Sequence, residues 1–239
     1  MNKLAPIVAT NPVETATTWI TSRAIAPTRR NDPNIPAGKA GDIIIEMENR
    51  LISGHYAFGD ALSINALAVE FGASRQPVST AVGHLRALGY LTIVPQVGCR
   101  VASPSPTEID DFFFMLAKIE SAMASLAARR HTQEETDVLM AIADQIDATP
   151  VDSETHRLRY AAGVDAYHEA IRKMARSPEL IPRVANLWRL SDFYLWQGIS
   201  NFTAPKRAVA VQERQSIVEA IGRGDAELAA QLMEIHVRG

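Results

Sequence analysis

Three helical segments in the second half of the chain each set ionisable side chains on an apolar stripe. Asp165, His168 and Arg172 follow Leu158 and Ala161 at spacings of 3-4-3-4, which puts all five on one helical face. His236 closes the stripe Asp225, Ala229, Leu232, His236, and Arg214 interrupts Val211, Arg214, Val218, Ile221. A polar group on a stripe that turns inward needs a partner inside the protein. A single histidine in such a place is most simply a satisfied core residue. Groups converging from three helices instead line an internal polar pocket for a small ligand. Asp165, His168, Arg172, Arg214 and His236 are the candidates for it.

A second chemistry lies upstream. Between Phe71 and Ser103 there is no Asp or Glu, while Arg75, Arg86 and Arg100 are present. The preceding stretch, Gly41 to Glu70, carries Asp42, Glu46, Glu48, Asp60 and Glu70 against Arg50 alone. An overall charge of −3 offers no sign of a nucleic-acid partner; the local distribution does, because phosphate contacts need cations without neighbouring acids. Arg reads guanine through two hydrogen bonds, and Gln76 has the groups to read adenine. An ordinary surface of low charge is the alternative.

The elements that must position these residues follow from periodicity and punctuation. Gly41 to Ser53 reads as a helix, with Ile44, Met47 and Leu51 on one side and Gly54 as its stop. Ser53 to Asp60 is a loop. Ser63 caps a second helix to Phe71, and Ser74 caps a third that closes at Gly89, with Pro77 tolerated in its first turn. Tyr90–Val94 and Cys99–Ala102 form a hairpin around Pro95–Gly98. Helix, helix, tight turn, helix and hairpin is the order of a winged helix-turn-helix, which sets Arg75 at the base-reading end of the third helix.

Residues 1–37 hold Pro6, Pro12, Pro27, Pro33 and Pro36 and are mildly basic; they read as an extended arm able to reach a DNA groove, or as a solvated tail. Residues 38–103 form the winged unit, 104–107 a Pro-stiffened linker, and 108–239 an all-α bundle. Phe112, Leu116, Ile119, Met123 and Leu126 repeat at 4-3-4-3 at its start. Further helices cover roughly 133–148, 153–176, 179–197, 205–222 and 225–238. The fold class is thus mainly α, with an N-terminal winged helix-turn-helix before a helical bundle. One cysteine, Cys99, excludes a disulfide scaffold. No apolar run reaches the ~18 residues of a membrane span, and the first residues lack a signal-peptide core. The cytoplasm is the expected compartment.

The run Leu67-Ala68-Val69-Glu70-Phe71-Gly72-Ala73-Ser74-Arg75-Gln76-Pro77-Val78-Ser79, with Leu88-Gly89-Tyr90-Leu91 and Gly98-Cys99-Arg100-Val101, resembles the GntR family of bacterial transcription regulators. The resemblance implies DNA contacts at Ser63, Asn65, Ser74, Arg75, Gln76, Ser79, Gly98 and Arg100. Asn65 and Ser79 stand where the family usually carries arginine, which implies an altered operator or weaker binding. The helical half resembles the FCD-type ligand domain through Lys118-Ile119-Glu120, Asp165-Ala166-Tyr167-His168 and Glu213-Arg214 to His236. That family commonly holds a divalent metal, such as Zn, Mn or Ni, with one Asp and three His. Here the set would shrink to Asp165, His168 and His236, with the acid three rather than four residues before His168. Arg214 stands at the middle His, and an arginine repels a metal. Its planar fork suits a carboxylate or phosphate, so it would pair directly with a small anionic effector; a salt bridge to Asp165 or a glutamate is the other reading.

These implications describe a homodimeric, metabolite-responsive regulator, a repressor, that binds a double-stranded operator. The competing classes are a helical enzyme and a protein-interaction module using Phe112-Phe113-Phe114. No nucleophile–base arrangement, HExxH or phosphate loop supports an enzyme.

Overall fold

The computed structural model describes residues 34–94, 98–152, 154–198 and 204–239. Most of the proline-rich arm, the hairpin turn Pro95–Val97 and the side chain of Leu158 lie outside the described residues. Helix α1, Lys39–Ile52, buries Ile43, Ile44, Met47 and Leu51, and with them Glu48. It ends at Ser53, after which Gly54 takes a φ of 76°, a conformation that suits a residue without Cβ. Helix α2, Ile64–Glu70, is capped by Ser63, whose Oγ accepts from the Ala66 N–H at 3.4 Å. Helix α3, Arg75–Ala87, starts after Ser74 and holds Pro77 in its first turn, but the Ser74 hydroxyl makes no capping hydrogen bond. Ser74 therefore marks the helix start by position, not by the cap expected of it, and its hydroxyl faces solvent.

The expected hairpin is present as β2, Leu91–Val94, and β3, Gly98–Val101, antiparallel with Ile93 opposite Cys99. A further strand, β1 (Ala61–Leu62), pairs with β3 on its other side, Leu62 opposite Cys99. The sheet thus has three strands in the order β1-β3-β2, not two. Two residues are too short to show the alternation that reveals a strand.

The rest is helical. Helix α4, Pro106–Arg130, opens with a reciprocal capping box between Ser105 and Glu108, so the end of the proline-rich stretch is itself the helix start. Helix α5, Gln133–Ala148, opens with a second box, Thr132 and Glu135. Then come α6 (Glu154–Met174), α7 (Ile181–Gly198), α8 (Ala204–Gly222) and α9 (Ala226–Arg238). Asp225 caps α9 as expected, accepting from the Leu228 N–H at 3.0 Å. No helix among the described residues is long and apolar enough to cross a membrane.

Two cores result. One lies in the bundle, around Ala124, Leu139, Ile146, Tyr167, Ile217 and Met233. The other gathers Ile44, Met47, Leu51, Leu67, Val78, Leu85, Tyr90 and Cys99 of the winged unit, and it also contains Leu190 and Phe193 of α7. Phe193 is fully buried and meets the rings of Phe58 and Tyr90 edge-on at 5.1 and 5.2 Å. Gln197, one turn on, donates to the carbonyls of Leu51 and Tyr56 and accepts from the Phe58 N–H. Phe112 on α4 packs against Tyr194 at 5.0 Å at the edge of the same core. The small N-terminal core is therefore completed by a helix more than a hundred residues downstream.

Candidate functional site

The acid-free stretch forms an outward surface. Arg75, Gln76, Ser79, Thr80 and Arg86 are exposed on α3, while Val78, Ala81, Val82 and Leu85 bury the opposite face. Asn65 is exposed on α2, and Ser63 beside it is engaged in its cap. On the wing, Arg100 is exposed and its guanidinium donates to the Gly59 carbonyl. Gly98 is half-buried with a φ of 120°, and a Cβ there would stand 3.0 Å from the Leu62 carbonyl oxygen. Gly98 is thus required by the close approach of β1, whatever it does toward DNA. Arg50, the one cation of the upstream stretch, is tied to Glu46 and Glu70. Among the described residues of 41–103, the exposed cations with no acid beside them are Arg75 and Arg86 of α3 and Arg100 of the wing.

The expected ligand residues split into two centres. In the first, Glu120 of α4 is fully buried and bridges two residues of α6: its Oε1 accepts from Arg172 at 2.7 Å and its Oε2 faces His168 Nδ1 at 3.4 Å. Asp165 lies 3.8 Å from the other arm of Arg172. His168 stacks on Trp188 of α7, with ring centroids 3.8 Å apart, and lies parallel to His236 of α9 at 5.8 Å. His236 in turn holds Glu213 at 2.8 Å. Desolvation pushes the His168 imidazole down to about 4, so it is neutral near pH 7. With Nδ1–H turned to Glu120, its Nε2 presents a lone pair. Burial works to raise the Glu120 carboxyl, but Arg172 and His168 together hold it below the ordinary range. His168 Nε2, Trp188 Nε1 and Arg172 Nε find no hydrogen-bond partner among the described residues. Unsatisfied buried polar atoms are uncommon, and here three fall on side chains in mutual contact.

Arg214 does not join them. It pairs with Asp147 of α5 at 2.5 Å and reaches the Tyr160 hydroxyl at 3.4 Å, and its own carbonyl accepts from Tyr167. Of the two readings of Arg214, the salt bridge is the one the geometry shows, with Asp147 in place of Asp165 or a glutamate. A guanidinium neutralised this way does not stand ready for an anion beside His168. The metal set fares no better. His168 and His236 are each backed by a carboxylate, as metal ligands commonly are, but Asp165 is turned to Arg172 and the middle position belongs to Arg214. Among the described residues no three His, Cys, Asp or Glu side chains are grouped to hold a metal ion. The residues present do not fit a divalent cation.

Sequence reasoning missed Glu120, Trp188 and Asp147. Glu120 sits four residues after Leu116 and three before Met123, a charge inside an apolar stripe. That is the signal that singled out His168, and it was legible. Trp188 and Asp147 carried no such mark.

The family model described as bacterial regulatory proteins, gntR family, matches residues 39–101, and the FCD domain model matches 111–239, more than half of the chain. The chain belongs to the GntR family, in its FCD branch. Its relatives include the HTH-type transcriptional repressor GlaR of Escherichia coli K12, 27% identical over 199 residues, covering 80% of this chain and 89% of that one. A regulator from an unstable DNA locus of Streptomyces ambofaciens is 26% identical, covering 82% and 81%. Among solved structures, E. coli McbR/YncC superposes with a TM-score of 0.67 at 18% identity, covering 85% of this chain and 95% of that one. A GntR regulator from Rhodococcus sp. RHA1 gives 0.64 at 15%, covering 84% and 94%. GntR regulators bind DNA and are not enzymes. The exposed face of α3 lies within the stretch matched by the gntR model, and the centre at His168 lies within the FCD domain.

Proposed function

We propose that this GntR protein is a homodimeric repressor whose affinity for its operator is set by a small anionic effector at His168. The observation that carries the DNA half is the acid-free, outward face of α3, with Arg75 in its first turn. Two such helices on a two-fold axis would read half-sites one helical turn apart. The repressor sense rests on the related repressor GlaR. The effector half rests on the three unpartnered nitrogens at His168, Trp188 and Arg172. A carboxylate bearing a hydroxyl fits them: its oxygens accept from Arg172 and Trp188, and its O–H donates to His168 Nε2. No metal is needed for this.

The test is a gel-shift titration over salt with the DNA upstream of the protein's own gene, followed by a thermal-shift screen of organic acids with and without divalent metal. Sequence-specific binding that weakens steeply with salt supports the regulator. Binding with no preference for sequence refutes it. Stabilisation by a hydroxy acid independent of metal supports the effector reading. Stoichiometric, tightly held zinc, manganese or nickel in the purified protein overturns its metal-free form.

A further inference from the structure

The FCD and winged units are joined twice, once by the backbone at residues 102–105 and once through space by α7. The second junction is the more extensive. Glu48 of α1 has no exposed surface, yet it is a carboxylate inside the winged unit's core. Its neutralising partner comes from α7: Arg189 grips both carboxylate oxygens, at 3.1 and 2.8 Å. Tyr90, just past the end of α3, donates to the same carboxylate at 2.9 Å. Leu190 and Phe193 fill the core beside this pair, and Gln197 closes three backbone hydrogen bonds of the α1 end and the following loop. An interface that is apolar and carries a buried ion pair does not behave as a loose hinge between domains. The winged unit and the second half of α7 are one body.

The first half of α7 belongs elsewhere. Val184 packs with Met123 and Ala175 of the bundle, and Trp188 lies on the imidazole of His168. Consecutive residues on a helix diverge by about 100° and rise ~1.5 Å. Trp188 and Arg189 therefore aim one backbone unit in two directions, into the ligand centre and into the winged core.

We infer that α7 is the coupling element of this protein. The stack of Trp188 on His168 and the grip of Arg189 on Glu48 transmit the state of the ligand centre to α1 and α3, and the 102–105 connection does not. The inference rests on the regulator reading for its biological meaning. A ligand that takes the space of Trp188, or draws its unpartnered indole N–H toward itself, must move α7, and with it the DNA-reading face. The shift in DNA affinity is then bounded by how much better the ligand fits the displaced position than the resting one.

The test needs neither ligand nor operator. His168 and Glu48 do not touch, and non-contacting sites ordinarily give additive effects, within about a factor of two. Native-state hydrogen exchange of the α1 amides is measured in the full chain for His168→Leu, Glu48→Gln and the double variant, and the three are repeated with Trp188→Leu. The expected result is that the combined effect departs from the product of the single effects by about tenfold or more, and that Trp188→Leu brings the departure below twofold. Multiplicative effects in the parent chain overturn the inference. So does a departure that persists without Trp188, since it would then run through another route. If His168→Leu does not fold, His168→Gln, which keeps a hydrogen bond to Glu120, gives the same cycle. Failure of the regulator reading appears separately, as the absence of sequence-specific DNA binding while the exchange coupling stands.

Discussion

Replacing Phe193 with alanine should destabilise a unit to which Phe193 does not belong in sequence. The side chain has no exposed surface and lies between Phe58, Tyr90 and Tyr194. A buried aromatic removes about 150–250 Å² from water, and at ~25 cal/mol per Å² that is about 4–6 kcal/mol. Measured Phe→Ala changes in cores are of the same size, roughly 3–5 kcal/mol. A small domain has only about 5–15 kcal/mol in total, so the loss takes a large share of the winged unit's stability. The loss should also be local. In native-state hydrogen exchange on the full chain, the amides of α1 and α3 should lose protection by about two to four orders of magnitude, on the order of the same 3–5 kcal/mol, while those of α5, α8 and α9 change little. Phe193→Leu should show the same pattern at smaller amplitude. If protection falls in the bundle while α1 and α3 keep theirs, or if the total change is below about 1 kcal/mol, Phe193 does not complete the N-terminal core and the reasoning fails.

Other consequences are equally direct. Arg214→Met strands Asp147, so thermal unfolding should show a loss of about 3–5 kcal/mol, with most of it regained when Asp147→Leu is added; a loss that the second change does not relieve would mean that the pair is not the cause. Asp192 is pushed up to about 7 by desolvation and by the neighbouring Asp165. Because this folded value lies above the ordinary carboxylate range, the native state holds a proton that the unfolded chain releases. Its contribution is then complete below pH ~4 and drains away as pH rises to about 7. Asp192→Asn should flatten the urea midpoint between pH 5 and pH 8 and raise it at the upper end; identical slopes in the two proteins would contradict this. Arg75→Ala should weaken specific DNA binding by about 1–3 kcal/mol and relax the preference at one base position, whereas equal weakening on every sequence would make Arg75 a phosphate contact only.

The elements of this fold were open to reading because each carries its own local signal. Asp225 and Ser63 cap where a short polar side chain precedes an apolar run, and the α4 stripe from Phe112 to Leu126 shows its period plainly. The paired capping boxes at Ser105 and Thr132 were written just as clearly, as Ser-x-x-Glu and Thr-x-x-Glu. Strand β1 had no period to show. The site was harder, for a different reason. Stripe position reveals that His168, Arg172 and Arg214 turn inward, but not which of them meet. Arg214 and His168 both face the interior, and the bundle separates them because α5 offers Asp147 to one and α4 offers Glu120 to the other. Partner choice is set by how helices are placed around one another, and no spacing within a helix encodes that. The same holds for Glu48, whose place between Ile44 and Leu51 marks it as a buried charge while its counterion lies on α7.

Gly89 shows what a shared core means for how such regulators are built. It ends α3 with a φ of 90°, and a Cβ there would stand 3.3 Å from a methyl of Leu190. The residue that stops α3 is also the seat of α7. A winged unit cut at residue 103 and grafted onto another sensor would leave Glu48 without its counterion and Tyr90 without Phe193. A new specificity would have to be carried by the outer face of α3 alone, or travel together with the matching residues of α7. The outer face of α3 is free to change one residue at a time, whereas the winged unit as a whole is tied to α7 through Arg189, Leu190 and Phe193.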